Sequence, residues 1–290
     1  MESENRKSNR SDHESAQRPR RNASVRVGSV RVIPELLRNL GANPAEVLAE
    51  AGVPPELFDE PDNRISFAQR SQLIQLCVDR TGCRHFGLLI GQQAGLHSLG
   101  LLGLLVQHSA DVGGALRSLV RCLHHHVQGA VTTLAENDRT AMLSYSIYET
   151  LVDATDQTGD GAVAAMFNIL RALCGPDWKP VEILFAHRRP DDVRPFQQFF
   201  RAPLRFDAEH DGVVFPADWL QRPLAAADAE SAKDVPIYME WIGSLDGNVN
   251  AVIRPQVTGY LIKQNYREGD LVKTGSAAVR DRPAHFRGRR

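Results

Sequence analysis

The sequence predicts an α+β fold: N-terminal helices packed on a mixed or antiparallel sheet of about five strands. Three observations predict it. The first hundred residues repeat apolar side chains at helical spacing, and residues 109–127 form an amphipathic helix that runs straight into two alternating segments. From Gly161 to Pro216, helical and short apolar segments interleave.

The residues from Met1 to Ser24 are polar and rich in Arg and Ser, and they predict a disordered tail, 1–24. From Val30 the pattern is helical. Val32, Ile33, Leu36, Leu37 and Leu40 end at Gly41, and Pro44 opens a short helix closed by Gly52. After a Pro-rich connection, Ser66 is placed to cap a longer helix with Leu73, Ile74, Leu76, Cys77 and Val78. A further helical segment runs from His85 to Ala94.

The central feature is a helix followed by a hairpin. Val112, Leu116, Leu119, Val120, Leu123 and Val127 form one stripe, with Ser109 expected to cap the helix and Asp111 in its first turn. Val131–Leu134 and Ala141–Ile147 read as two strands joined by a turn at Glu136, Asn137 and Asp138. In the second, Ala141, Leu143, Tyr145 and Ile147 are expected to face the helix, leaving Met142, Ser144, Ser146 and Tyr148 in more polar surroundings.

Beyond it, Val163, Met166, Phe167, Leu170 and Leu173 predict a helix over Gly161–Cys174, stopped by Gly175 and Pro176. Val181–His187 reads as a buried strand and Asp191–Phe200 as a short helix. The next segment reads as two strands about a turn at Asp211-Gly212, with a short helix from Ala217.

The totals narrow the function classes. The 290 residues carry 34 Lys/Arg against 35 Asp/Glu, a net charge of −1. The two termini distort it: 1–24 holds six basic and four acidic residues, and 276–290 holds five and one, leaving 23 basic against 30 acidic in the body. An acidic body argues against a broad phosphate-binding surface. Cys77, Cys83, Cys122 and Cys174 have no metal-ligand spacing, so reduced thiols and no metal are expected. With no apolar leader and no membrane-length apolar run, a cytoplasmic chain with no membrane partner is expected.

Candidate chemistry is sparse. His124, His125 and His126 are consecutive, so their side chains point about 100° apart on a helix and cannot converge on one ion. They read as a mostly exposed helix end, where imidazolium is favoured. Tyr145 either lines a ligand cavity or fills the core, and His187, at the end of its strand, presents the same choice. The chain carries no HExxH, GxSxG, P-loop or dinucleotide fingerprint, so neither catalysis nor a cofactor is expected.

Val25 to about Glu230 resembles the N-terminal effector-binding, arabinose-binding type domain of AraC/XylS-type bacterial transcription regulators. The resemblance rests on SVRVIPELLRNLGANPAEVLAEAGVPPELF, LGLLGLLVQHSADVGGALRSLVRCLHHHVQG and FFRAPLRFDAEHDGVVFPADWLQRPL. It implies a domain, 25–230, that binds a small-molecule effector and makes dimer contacts, as a homodimer or in mixed dimers with an intact regulator. In the family a C-terminal pair of helix-turn-helix units reads the promoter. The residues after Glu230 lack that pattern, so a truncated regulator without direct DNA binding is expected.

VPIYMEWIGSLDGNVNAVIRPQVTGYLIKQNYREGDLVKTG instead resembles the start of the periplasmic adaptor, or membrane fusion, proteins of RND efflux pumps. That implies a partial lipoyl-like β fragment, 231–275, and, as an alternative function, an efflux adaptor component. Val249, Ala251 and Ile253 alternate, Val257–Lys263 forms a second run, and Glu268-Gly269-Asp270 makes a turn. The basic segment 276–290, SAAVRDRPAHFRGRR, leaves the β pattern. The codons AGC GCT GCT GTT CGA GAT CGA CCC give SAAVRDRP, and one base later read ALLFEIDP, as an adaptor would continue. A frameshift after Gly275 is therefore expected.

Overall fold

The computed structural model describes residues 23–149 and 153–224, and the backbone of 259–264 and 279–283. The chain divides into two units, Met1–Val235 and Pro236–Arg290.

The first unit opens with a strand that the apolar pattern does not announce, β1 (Ser24–Arg26). The helices α1 (Ile33–Asn39) and α2 (Pro44–Glu50) follow, each with proline in its first turn. Then β2 (Arg64–Ser66) pairs antiparallel with β1, and Ser66 leads into α3 (Phe67–Thr81). The Ser66 hydroxyl accepts from the Gln69 amide at 3.1 Å, the expected cap. Gly82 ends α3 in the left-handed region, φ 67°.

Next come α4 (Phe86–Gln92), α5 (Leu101–Gln107) and α6 (Val112–Cys122). The cap of α6 differs from expectation. Asp111, not Ser109, accepts from the Gly114 amide, at 2.6 Å, while the Ser109 hydroxyl turns back to the Leu105 carbonyl at the end of α5. A carboxylate in the cap position also meets the positive end of the helix dipole.

The hairpin is as expected: β3 (Ala130–Glu136) and β4 (Thr140–Ile147) pair antiparallel, with Asn137 accepting from the amides of Arg139 and Thr140 in the turn. The long helix α7 (Thr155–Cys174) starts six residues before its predicted Gly161. Its first turns, TDQTGD, read as polar, yet Thr158 and Asp160 are buried. Gly159 brings this end of the helix against Asp211, whose Oδ2 would stand 2.5 Å from an added Cβ.

The chain then forms β5 (Glu182–Leu184), α8 (Arg194–Phe200), β6 (Leu204–Arg205) and β7 (Asp211–Pro216), with a short 3-10 helix from Ala217. Asp211 and Gly212 lie inside β7, not in a turn as predicted, because they pair with Tyr145 and Ser144 of β4. The sheet order is β3-β4-β7-β5-β6, antiparallel except for the β5–β6 pair.

The registers put Thr132, Ala141, Leu143, Tyr145, Val213, Phe215 and Ile183 on one face, and all are buried. On the other face of β3 and β4, Val131 is exposed and Thr133 bonds Ser144 at 2.6 Å. The helices therefore cover the face the alternation predicts. An aromatic cluster of Phe167, Phe185, Phe196, Phe199, Phe200 and Phe206 closes the core under α8.

In the second unit, β8 (Gly259–Gln264) pairs antiparallel with β9 (Val279–Pro283). The strand β9 corrects the expectation that residues 276–290 leave the β pattern. Backbone pairing holds Val-Arg-Asp-Arg-Pro extended despite its charge, and the proline sits at the strand end, where a missing amide costs least. The rest of the adaptor-like stretch 231–275 lies outside the described residues, as does the tail 1–22.

Candidate functional site

A partly open cavity of about 110 Å³ lies between the helices and the hairpin. Its walls come from α3 (Arg70, Ile74), α4 (Gly87, Ile90, Gly91), α6 (Leu119), the hairpin (Thr132, Tyr145) and α7 (Thr158, Gly161, Met166, Ile169). Leu123, His126 and Val127 close it from the segment after α6.

One wall is nearly bare backbone. Gly87 and Gly91 of α4 face Gln157 and Gly161 of α7 so closely that a Cβ on Gly87 would collide with the Gln157 carbonyl. A Cβ on Gly91 would collide with the Gly161 carbonyl. Two side chains lock this seam. Gln157 accepts from the Gly87 amide and donates to the Arg84 carbonyl, each at 2.8 Å. Asn168 Nδ2 reaches the carbonyls of Gly91, Gln92 and Ala94 at 3.2, 3.0 and 2.8 Å, satisfying the C-terminus of α4.

The polar groups of the cavity are few. Arg70 is 6% exposed, its Nη2 lies 3.4 Å from Thr158 Oγ1 and its guanidinium sits 4.5 Å over the Phe67 ring. Its Nε has no hydrogen-bond partner, and neither has Thr132 Oγ1. Burial lowers the Arg70 pKa, and the neighbouring Tyr145 phenol draws it back. The Tyr145 pKa is raised, chiefly by its own burial. Arg70 and Thr132 are thus held away from water with hydrogen-bonding capacity unused.

His126 corrects the reading of its triplet. His124 and His125 are exposed, but His126 is 4% exposed and stands 3.4 Å from Arg26 Nη1. Burial first, then the charges of Arg26, Arg64 and Arg70, push its pKa down to about 3. It is a neutral imidazole in the cavity wall, not a cation at a helix end. The chain turns in the 3-10 segment Leu123–His125, which aims the third histidine inward.

Of the two residues singled out from the sequence, Tyr145 lines the cavity and His187 lies apart from it. His187 Nε2 donates to Asp160 Oδ1 at 2.8 Å and its Nδ1 to the Arg188 carbonyl at 2.7 Å, tying α7 to the loop after β5. Arg70, Thr132 and His126 were not singled out. Arg70 carried a signal: it sits three residues from both Phe67 and Leu73, a charge on the apolar stripe of α3. Among the described residues, no group of three or more His, Cys, Asp or Glu could hold a metal ion.

Residues 41–224 match the family model described as the arabinose-binding domain of AraC transcription regulators, N-terminal. The chain belongs to this AraC-type family. The AraC-type domain is similar to the ornithine utilization regulator of Pseudomonas aeruginosa, 26% identical over 206 residues, covering 70% of this chain and 60% of that protein. It is similar to the HTH-type transcriptional regulator VirS of Mycobacterium tuberculosis, 23% identical over 208 residues, covering 71% and 61%. The chain thus spans about 60% of the length of these curated relatives. A solved structure, the transcriptional regulator CdpR from Pseudomonas aeruginosa, aligns with TM-score 0.49 at 19% identity, over 68% of this chain and 60% of that one. Among the described residues, no helix of the AraC-type domain is long and apolar enough to cross a membrane.

Proposed function

We propose that this chain senses a small-molecule effector for transcription control, without catalysis of its own. The observation that carries the reading is the partly open cavity lined mostly by the family-matched segment, apolar on most sides and set with unpaired polar groups of Arg70 and Thr132. The same cavity joins α3, α4, α6, α7 and the hairpin, so an occupant would stabilise the packing of all five against one another.

Dimer formation, as a homodimer or with an intact regulator, belongs to the same reading. Leu101 and Leu104, 70% and 49% exposed and one turn apart on α5, support it. A cytoplasmic setting goes with it.

The test is thermal denaturation of the full chain against sugars, amino acids, carboxylates, amines and small aromatics. A ligand at 100 times its Kd stabilises by about 2.7 kcal/mol, which is readily read as a rise in Tm. A flat response in every class overturns the reading.

A second reading takes residues 231–275 as an efflux adaptor fragment, on the sequence likeness of Val235–Gly275. Cell fractionation separates the two. A periplasmic or membrane-bound pool favours the adaptor, and a cytosolic pool the regulator.

A further inference from the structure

The chemistry of the cavity also restricts its occupant, an argument that rests on the sensor reading above. A guanidinium stays protonated in a protein interior, so Arg70 is a buried cation. A buried cation without a counter-charge carries a desolvation cost that hydrogen bonds to hydroxyls and a ring face offset only in part. No Asp or Glu lines the cavity. The buried carboxylates nearby are engaged elsewhere, Asp160 with His187 and Asp211 with the Ala186 amide. The unpaired Arg70 Nε and Thr132 Oγ1 are both donors open to an acceptor, and Tyr145 adds a phenol beside the guanidinium. Most of the remaining wall is apolar, with Ile74, Leu119 and Met166 among it, and its other polar side chains, such as the neutral His126 and Thr158, carry no charge.

We propose that the effector is a short-chain monocarboxylate, its carboxylate on the Arg70 guanidinium and its tail among the apolar side chains. The volume sets the length. An apolar cavity of about 150 Å³ admits benzene, so about 110 Å³ suits an acid of roughly four to six heavy atoms. Amino acids and diamines are disfavoured, because an ammonium group would enter beside Arg70 with no carboxylate to meet it. Dianions are disfavoured because one guanidinium neutralises one charge.

The experiment is calorimetric titration of the full chain at pH 7 with acetate, propionate, butyrate and hexanoate, alongside butyramide, n-butylamine and ornithine. Butyrate is expected to bind at least tenfold more tightly than the neutral butyramide of the same shape, with acetate and hexanoate weaker. Arg70→Gln should lose that tenfold preference and Arg70→Lys should recover part of it. Should either variant fail to fold, the butyrate-to-butyramide ratio of the unaltered chain decides alone. Equal binding of acid and amide, or preferential binding of the amines, overturns the carboxylate assignment and leaves the sensor reading standing. The same holds if these probes are silent while a sugar or aromatic raises Tm. Silence across every class removes both.

Discussion

His187 donates from Nε2 to Asp160 at 2.8 Å while its other ring nitrogen meets the Arg188 carbonyl, so the folded chain holds a doubly protonated imidazole against a carboxylate that is 1% exposed. Burial alone would lower the His187 pKa, but the hydrogen bond and charge of Asp160 outweigh it and push it up to about 9. Burial pushes the Asp160 carboxyl up to about 6 against the pull of His187.

The sign of the pH effect follows. Between the unfolded value of about 6.5 and the folded value of about 9, the native chain holds a proton that the unfolded chain has lost. Stability from this group is therefore full below about pH 6.5 and declines as pH rises through about 9. Urea denaturation across pH 6.5–9.5 should show the decline, and Asp160→Asn should remove it. Breaking such a buried pair from one side should cost about 3–5 kcal/mol at pH 7.

His126 should behave in the opposite way. With its pKa pushed down to about 3, its imidazole signals in a two-dimensional NMR titration should stay in the neutral position from pH 8 to pH 5, while an unfolded histidine titrates near 6.5. A midpoint near 6.5 would place His126 in water.

The seam between α4 and α7 allows a steric test. Gly91→Val must push the Gly161 backbone away, and overpacking of this kind costs about 1–3 kcal/mol or more. Circular-dichroism melts should show a lower Tm, and Gly87→Val should act the same way.

Asn168→Leu keeps the volume of the side chain but removes the donor that the carbonyls of Gly91, Gln92 and Ala94 share, while Gly91 keeps the Ala94 amide. The expected loss is about 1–3 kcal/mol in urea denaturation.

At the start of α6, Asp111→Ala should cost about 1 kcal/mol and Ser109→Ala less, because only Asp111 satisfies the Gly114 amide. Equal losses would restore Ser109 as the cap.

Much of the fold was legible because it depends on local periodicity. The α6 stripe, the Ser66 cap and the alternation of β4 each state their partner face within a few residues. The start of α7 was hidden: Thr158 and Asp160 look like solvent-facing residues until His187 and Asp211, distant in sequence, are brought to them. The strand β1 is three residues long and owes its form to β2, about forty residues away, with Ser24 in register with Ser66 and Arg26 with Arg64. Tyr145 could be nominated for the site because strand alternation fixes its face. His126 could not, since its orientation depends on one 3-10 turn, and Arg70 only by noticing a charge inside an apolar stripe.

The bare α4–α7 seam also divides the labour of diversification. A wall built from glycine backbone offers no side chain to exchange, and any substituent there separates the helices before it reshapes the space. The side chains that can be exchanged without parting these two helices lie on the other walls, at positions such as Arg70, Thr132 and Tyr145. A mutational library confined to those positions would vary the cavity lining while leaving the α4–α7 seam untouched.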